Sequence, residues 1–456
     1  MDNMADQASV NSIGEDGLPV NTIESIGGDT EEIIEKMDEE DQTDKEDKDS
    51  SMIPNRVRRF ATIMNLLNSL LGAGILSVPS SFKNNGVFPS MVILLFIALL
   101  SYYATVMVVK LQIDTKSAGY DELVFDILGK IGQTLFSTFS LIFLTSALLA
   151  YLILGGDMII SWFSLIKIDL NRLWPRAFMI LIYAIAIPIA ISLPRSIGFL
   201  SYFSTATVFF ILFFTLAMIV KGIDGLPNGG VSSTVVYSKI DSSVFSSISI
   251  YGLAFSLPIV TPAIVHPYNP DLHKRKVVSF VATLICFFLV AIPSIIGYLL
   301  FGDKTQGNIL KSFPDNDGLM IIVRIGFFFI VSFSYPIVAQ VVQGSYSQFI
   351  YSVNDANSLP SNKRNIVLLV THLIPAFLAM FLPEATPVLS VGGALGGCSV
   401  NFIYPAILWY TFYKLQPLSK EGLLCILLFL FGGTTAVIST YQAVIDMIKS
   451  FKAMKK

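Results

Sequence analysis

Apolar runs about 20 residues long, enough to cross a bilayer's hydrocarbon as a helix, recur along this chain from Phe60 to Ile448. Charged residues make up 14% of the sequence and hydrophobic residues 53%. A soluble domain carries about 25% charged residues, so too little charge is present to wet a globule of this size. The pattern is that of a polytopic helical membrane protein. It excludes a secreted disulfide scaffold, a coiled coil and a nucleic-acid binder. The runs predict eleven helices, over 60–83, 87–111, 134–161, 175–193, 197–220, 244–265, 277–301, 319–350, 365–383, 386–413 and 421–448.

The formal net charge of −3 conceals two opposed regions. Residues 1–55 hold 17 acidic side chains against 3 lysines. Such a segment buries too little apolar surface to fold and reads as a disordered tail. Within it, Asp29-Thr-Glu-Glu-Ile33-Ile34 faintly resembles an acidic dileucine-type sorting signal. Residues 56–449 form the membrane domain and 450–456 a short terminal stretch. Arg56, Arg58 and Arg59 precede the first run, and its far loop carries Lys83. The positive-inside rule therefore places the tail in the cytoplasm. The loop before the third run contains Tyr120-Asp-Glu-Leu-Val-Phe-Asp-Ile-Leu, whose spacing suits a short interfacial helix. Lys274-Arg275-Lys276 reads as a topology anchor or a lipid-headgroup contact. Cys286, Cys398 and Cys425 fall inside apolar runs with no CxxC spacing and read as small core residues.

Two runs are interrupted. The first reads Asn65-Leu-Leu-Asn68-Ser-Leu-Leu71-Gly72-Ala73-Gly74-Ile75-Leu-Ser-Val-Pro79, and the sixth Tyr251-Gly252-Leu-Ala254-Phe255-Ser256-Leu-Pro258-Ile-Val-Thr-Pro262. In hydrocarbon every backbone polar group must be paired, so irregular backbone is tolerated only where it is buried or lines a cavity. Breaks five helices apart are the spacing of a 5+5 inverted repeat, with the binding site between them. Unwinding frees N–H groups that suit a carboxylate and carbonyls that suit an ammonium. Leu71–Ile75, Gly252 and Ala254–Ser256 are therefore the candidate substrate contacts. Phe255 reads either as a cap over a bound substrate or as one more core or lipid-facing aromatic.

The same residues resemble the amino acid/auxin permease family, which includes sodium-coupled neutral and vacuolar amino acid transporters. Asn65-Leu-x-Asn68-x-x-x-Gly72-Ala-Gly74-Ile-Leu matches its opening motif, and Tyr151-Leu-Ile-Leu-Gly-Gly-Asp157 its third-helix signature. Ile187 to Arg195, Leu200-Ser-Tyr-x-Ser204, Ala254-Phe-Ser256, Gly392-Gly-Ala-x-Gly396 and Tyr404-Pro-Ala follow in the family's order. The resemblance implies a leucine-transporter-type fold and amino acid transport driven by sodium or protons. It also implies a cation site in which Asn68 and Ser334 take part, with Leu71 carbonyl nearby, and no other metal or cofactor. Asn68 reads alternatively as an interhelical hydrogen-bonding residue. Two departures stand out. No His follows Ala254-Phe255 within the sixth run, and no Arg follows Ser334-Tyr-Pro336.

Asp157 and His372 are the ionisable candidates for a proton relay. Asp157 could also close an outer gate or simply sit near the interface, and His372 could be structural. Arg324 could snorkel or pair with an acidic residue of an outer loop. No Walker loop, HExxH or nucleophile elbow is present, so an enzyme is not expected. The reading is a secondary active amino acid transporter with a monomeric transport unit, in the plasma membrane or a vacuolar or lysosomal membrane. An amino-acid sensor on the same fold, signalling through the tail, is the alternative.

Overall fold

The computed structural model describes residues 57–454 apart from 171, 196–200 and 354. The acidic segment 1–55, with its sorting-like signal, lies outside the described residues. Those described form helices and connecting loops, with no strand among them.

The first run folds as two half-helices, α1 (Arg59–Leu70) and α2 (Val78–Asn85), separated by a tight 3₁₀ turn over Ala73–Leu76. Next come α3 (Val87–Thr115), α4 (Tyr120–Leu165), α5 (Leu173–Ser192) and α6 (Ser201–Gly229). The sixth run is again split, into α7 (Val244–Ala254) and α8 (Leu257–Val265). Then follow α9 (Leu272–Phe301), α10 (Gly318–Tyr351), α11 (Ser361–Phe381), α12 (Ala385–Phe412) and α13 (Lys420–Met454). Ten segments among the described residues are long and apolar enough to cross a membrane, counting α7 and α8 together. The interrupted stretch Arg59–Asn85 stands beside them.

The prolines of the broken runs restart helices rather than end them. Pro79 and Pro258 occupy the first turns of α2 and α8, where a missing N–H costs nothing and the fixed φ is already helical. Pro262 sits within α8 without breaking it. The interfacial helix is present at the start of α4, where Gly129 at φ 69° turns the chain before the span begins. Its apolar side does not lie free on a membrane surface. Leu123 and Val124 pack with Phe136 and Leu408, and the Tyr120 hydroxyl donates to Val400 O at 3.0 Å.

α4 runs through the centre of the bundle and packs on α5, α10, α11 and α12. Glycines of α12 permit the closest approaches. A Cβ on Gly396 would lie 2.5 Å from Phe139 O of α4, and one on Gly393 would lie 2.5 Å from Ser249 O of α7. α12 thus wedges between α4 and α7, and two π-helical stretches, Gly393–Gly397 and Ser399–Ile403, accommodate it there. Outward-facing Phe178, Ile182, Leu369, Leu373, Leu427 and Leu430 are exposed, as a hydrocarbon solvent requires. The three cysteines are buried and unpaired.

Candidate functional site

The two breaks meet. A Cβ on Gly74 would lie 2.8 Å from Leu253 Cδ2 and 3.7 Å from Ala254 Cα, and one on Gly72 would lie 2.6 Å from the Tyr151 hydroxyl of α4. The backbone of the first break therefore touches the second break on one side and Tyr151 on another. Ser334 of α10 neighbours the Tyr151 hydroxyl. Leu71, Ile75, Gly252, Ala254, Phe255 and Ser256 are buried here. Asn68 and Ser334 are half-buried.

The two breaks differ in what they leave available. In the first, the Leu71 and Gly72 N–H groups donate to Leu67 O and Leu70 O, at 2.8 and 2.9 Å. The opening N–H groups of the Ala73–Leu76 turn have no intrahelical acceptor by geometry. In the second, side chains already serve the carbonyls. Ser256 Oγ donates to Gly252 O and Leu253 O, at 2.9 and 2.8 Å. Asn401 Nδ2 of α12 donates to Gly252 O at 3.1 Å, Ser101 Oγ of α3 donates to Phe255 O, and Cys286 Sγ of α9 lies 3.8 Å from Ala254 O. The first break offers donors. The second is a scaffold held by three neighbouring helices, in which Gly252 O and Phe255 O each already accept two hydrogen bonds and Leu253 O and Ala254 O each keep a second lone pair.

Phe255 is fully buried at the break. Asn68 and Ser334 stand on elements that share α6 as a principal neighbour and otherwise differ. α1 packs on α6, α8 and α9, whereas α10 packs on α4, α6 and α11.

Asp157 lies away from the breaks, near the end of α4. Its carboxylate receives Arg176 of α5 at 3.3 Å and Lys311 of the 302–317 loop at 2.8 Å. Arg176 also donates to Leu382 O and Pro383 O, at 2.8 and 3.0 Å. Arg324 does not snorkel. It is 2% exposed and donates to the loop carbonyls Leu310 O, Phe313 O and Asp315 O, besides pairing with Asp315 at 3.4 Å. Lys83 Nζ donates to Thr305 O, and Thr386 Oγ1 to Gly307 O. The loop is thereby tied across this end of the bundle, onto α2, α4, α10 and α12.

At the opposite end Arg275 is also buried. It donates to Gln112 Oε1 at 3.1 Å and to Asn269 O, while Gln112 Nε2 donates to Pro262 O at 3.0 Å. The central residue of the basic triplet is thus a structural cross-brace between α3, the end of α8 and α9, not a surface anchor. His372 of α11 is buried with Nδ1 2.9 Å from the Tyr335 hydroxyl, the two rings stacked at 5.7 Å.

Tyr151 carried the motif of the third run but was not among the expected contacts, and Asn401 and Ser101 were not singled out. The available signal for Asn401 is a lone amide inside an apolar run that follows a glycine-rich stretch.

A helical membrane protein built around two apposed, interrupted helices is the architecture of a secondary transporter. The fold agrees. MhsT, whose crystal structure was solved in complex with L-phenylalanine, superposes with a TM-score of 0.53 over 85% of this chain and 99% of its own, at 15% identity. Residues 58–445 match the family described as transmembrane amino acid transporter protein. The chain belongs to that family, and its fold is of the leucine-transporter type. Among its relatives are amino acid transporter AVT6E of Arabidopsis thaliana, 26% identical over 76% of this chain and 75% of that protein, and sodium-coupled neutral amino acid transporter 7 of Danio rerio, 26% identical over 75% of this chain and 76% of that protein.

Proposed function

We propose that this chain carries amino acids across a membrane by secondary active transport coupled to sodium or protons, with two five-helix repeats rocking about the paired breaks. The observation that carries this reading is the contact of Gly72–Gly74 with Leu253, Ala254 and Tyr151. N–H groups at the Ala73–Leu76 turn receive the substrate carboxylate, with the Tyr151 hydroxyl as a further donor. Second lone pairs on the Leu253 and Ala254 carbonyls receive the ammonium. Asn68, Ser334 and the Leu71 carbonyl supply neutral oxygens to a sodium ion in the sodium-coupled form. Asp157 already holds two cations, so the proton-coupled form falls chiefly to His372. The transport unit is a monomer with its N-terminal tail in the cytoplasm, and the tail takes no part in the transport step.

The test is uptake of each of the twenty radiolabelled L-amino acids into proteoliposomes holding the full chain, under separate sodium and pH gradients. Saturable uptake of at least one is expected. No flux of any would overturn the reading in favour of a sensor. Given sodium dependence, Asn68→Ala raises the sodium concentration for half-maximal uptake, and Ser334→Thr is tolerated where Ser334→Ala is not. Uptake that needs no sodium, with Asn68→Ala silent, removes the cation site and leaves the substrate site standing.

Tyr151→Phe keeps the ring and removes the hydroxyl beside Gly72. A hydrogen bond to a charged group is worth roughly 1.5–3 kcal/mol, so half-saturation by substrate should rise about tenfold or more. Unchanged half-saturation in the purified variant would take Tyr151 out of the substrate shell.

A further inference from the structure

The geometry points to Asn401 as the positioning residue that fixes the angle between the two halves of the interrupted helix α7–α8. This inference deepens the transport reading above and rests on it for its functional consequence. α12 runs along both halves. Its first π-helical stretch, Gly393–Gly397, packs on α7, and its second, Ser399–Ile403, packs on α8. Asn401 stands at the centre of the second stretch and is 1% exposed. π-helical insertions carry a wider turn and recur at functional sites. Here the wider turn presents one amide to the break.

That amide bridges the interruption. Nδ2 donates to Gly252 O of α7 at 3.1 Å and to Ser256 Oγ, at the start of α8, at 3.3 Å. Gly252 O can only accept, so the nitrogen must face it and the amide cannot be turned over. The amide oxygen then accepts no hydrogen bond from any described residue and is buried. An orphaned buried acceptor is a cost that a leucine of similar volume would avoid. The donor is what the position keeps. Leu253, Ala254 and Phe255, the residues between its two anchors, are those that meet the first break or line it. Motion of α8 relative to α7 must therefore stretch or hand over the bond from Asn401, and α12 moves with whichever half retains it.

Two measurements on the full chain test this, each with Asn401→Leu and Asn401→Ala. The alanine removes the amide without adding bulk and carries no donor for Gly252 O, so it decides should the leucine variant fail to fold. The first measurement compares turnover at saturation with affinity, using the amino acid most strongly taken up in the twenty-member screen. Turnover should fall about tenfold, as loss of one buried hydrogen bond from a moving contact allows, while affinity stays within about threefold of wild type by the same argument. Unchanged turnover overturns the proposal. So does affinity that falls in step with turnover, which would make Asn401 a ligand or a plain packing residue. The second measurement needs no substrate, and so separates failure of this inference from failure of the transport reading. Spin labels replace the exposed Ser242 and Ala263, which flank α7 and lie in α8. The distance distribution between them should broaden in Asn401→Ala, and an unaltered width overturns the proposal.

Discussion

Gly74→Val is expected to abolish amino acid uptake while the protein still reaches the membrane in wild-type amounts. The first Cβ atom already falls 2.8 Å from Leu253 Cδ2, closer than carbon atoms approach, and valine adds two branching methyls there. Overpacking of this kind costs roughly 1–3 kcal/mol, which a bundle of this size survives. Relief comes by pushing the first break away from Leu253 and Ala254, and that contact is the proposed site. Gly74→Ala should lose less, because the clashing atom is the far end of a flexible side chain. Gly252→Ala is the control. Its Cβ would find Phe402 Cε2 at 3.8 Å, an ordinary contact, so near-normal uptake is expected although it too replaces a glycine at a break. The check is initial uptake rate normalised to reconstituted protein. Normal uptake by Gly74→Val would move the substrate elsewhere.

Asp157→Ala is expected to lower thermal stability far more than Lys311→Ala, although each removes one partner of the same ion pair. Asp157 and Arg176 have side chains 4% and 7% exposed, and that of Lys311 is 39% exposed. Removing one member of a buried pair strands the other, at a cost of roughly 3–5 kcal/mol. Arg176 keeps its bonds to Leu382 O and Pro383 O, so the lower end of that range applies. An ion pair open to solvent is worth about 0–1 kcal/mol, which bounds the effect at Lys311. Unfolding midpoints in one detergent compare the two. Equal losses would mean that Arg176 finds no use for the carboxylate.

The two breaks were legible because glycine and proline mark them, and because hydrocarbon forbids a broken helix without a purpose. The fate of the long cations was legible only in part, since pairing of Arg324 with an acidic loop residue was among the expectations and the burial of Arg275 was not. Arg275 and Arg324 sit beside charged or polar loops in the sequence, where an anchor is the natural reading. Both are buried because carbonyls of the preceding loop, at Asn269 for Arg275 and at Leu310 to Asp315 for Arg324, turn onto the guanidinium only after folding. A guanidinium with five donors can close several loose carbonyls at once. Which ones converge depends on how the adjoining loop turns back on the helix. The same limit applies to Ser101, Cys286 and Asn401. Each is one small polar residue in an apolar run, and its target is a carbonyl freed in another helix.

Recognition through main-chain atoms bears on how a site of this kind changes over evolutionary time. In the proposed site, the N–H groups at the Ala73–Leu76 turn and the Leu253 and Ala254 carbonyls do not depend on which side chains the positions carry, provided the chain keeps its shape. They address the ammonium and carboxylate, the parts that every α-amino acid shares. Preference among amino acids then lies with side chains facing the remainder of the substrate. Those can be exchanged one at a time without dismantling the grip on the common part. Such exchanges would redirect the proposed site by small steps while leaving the paired breaks in place.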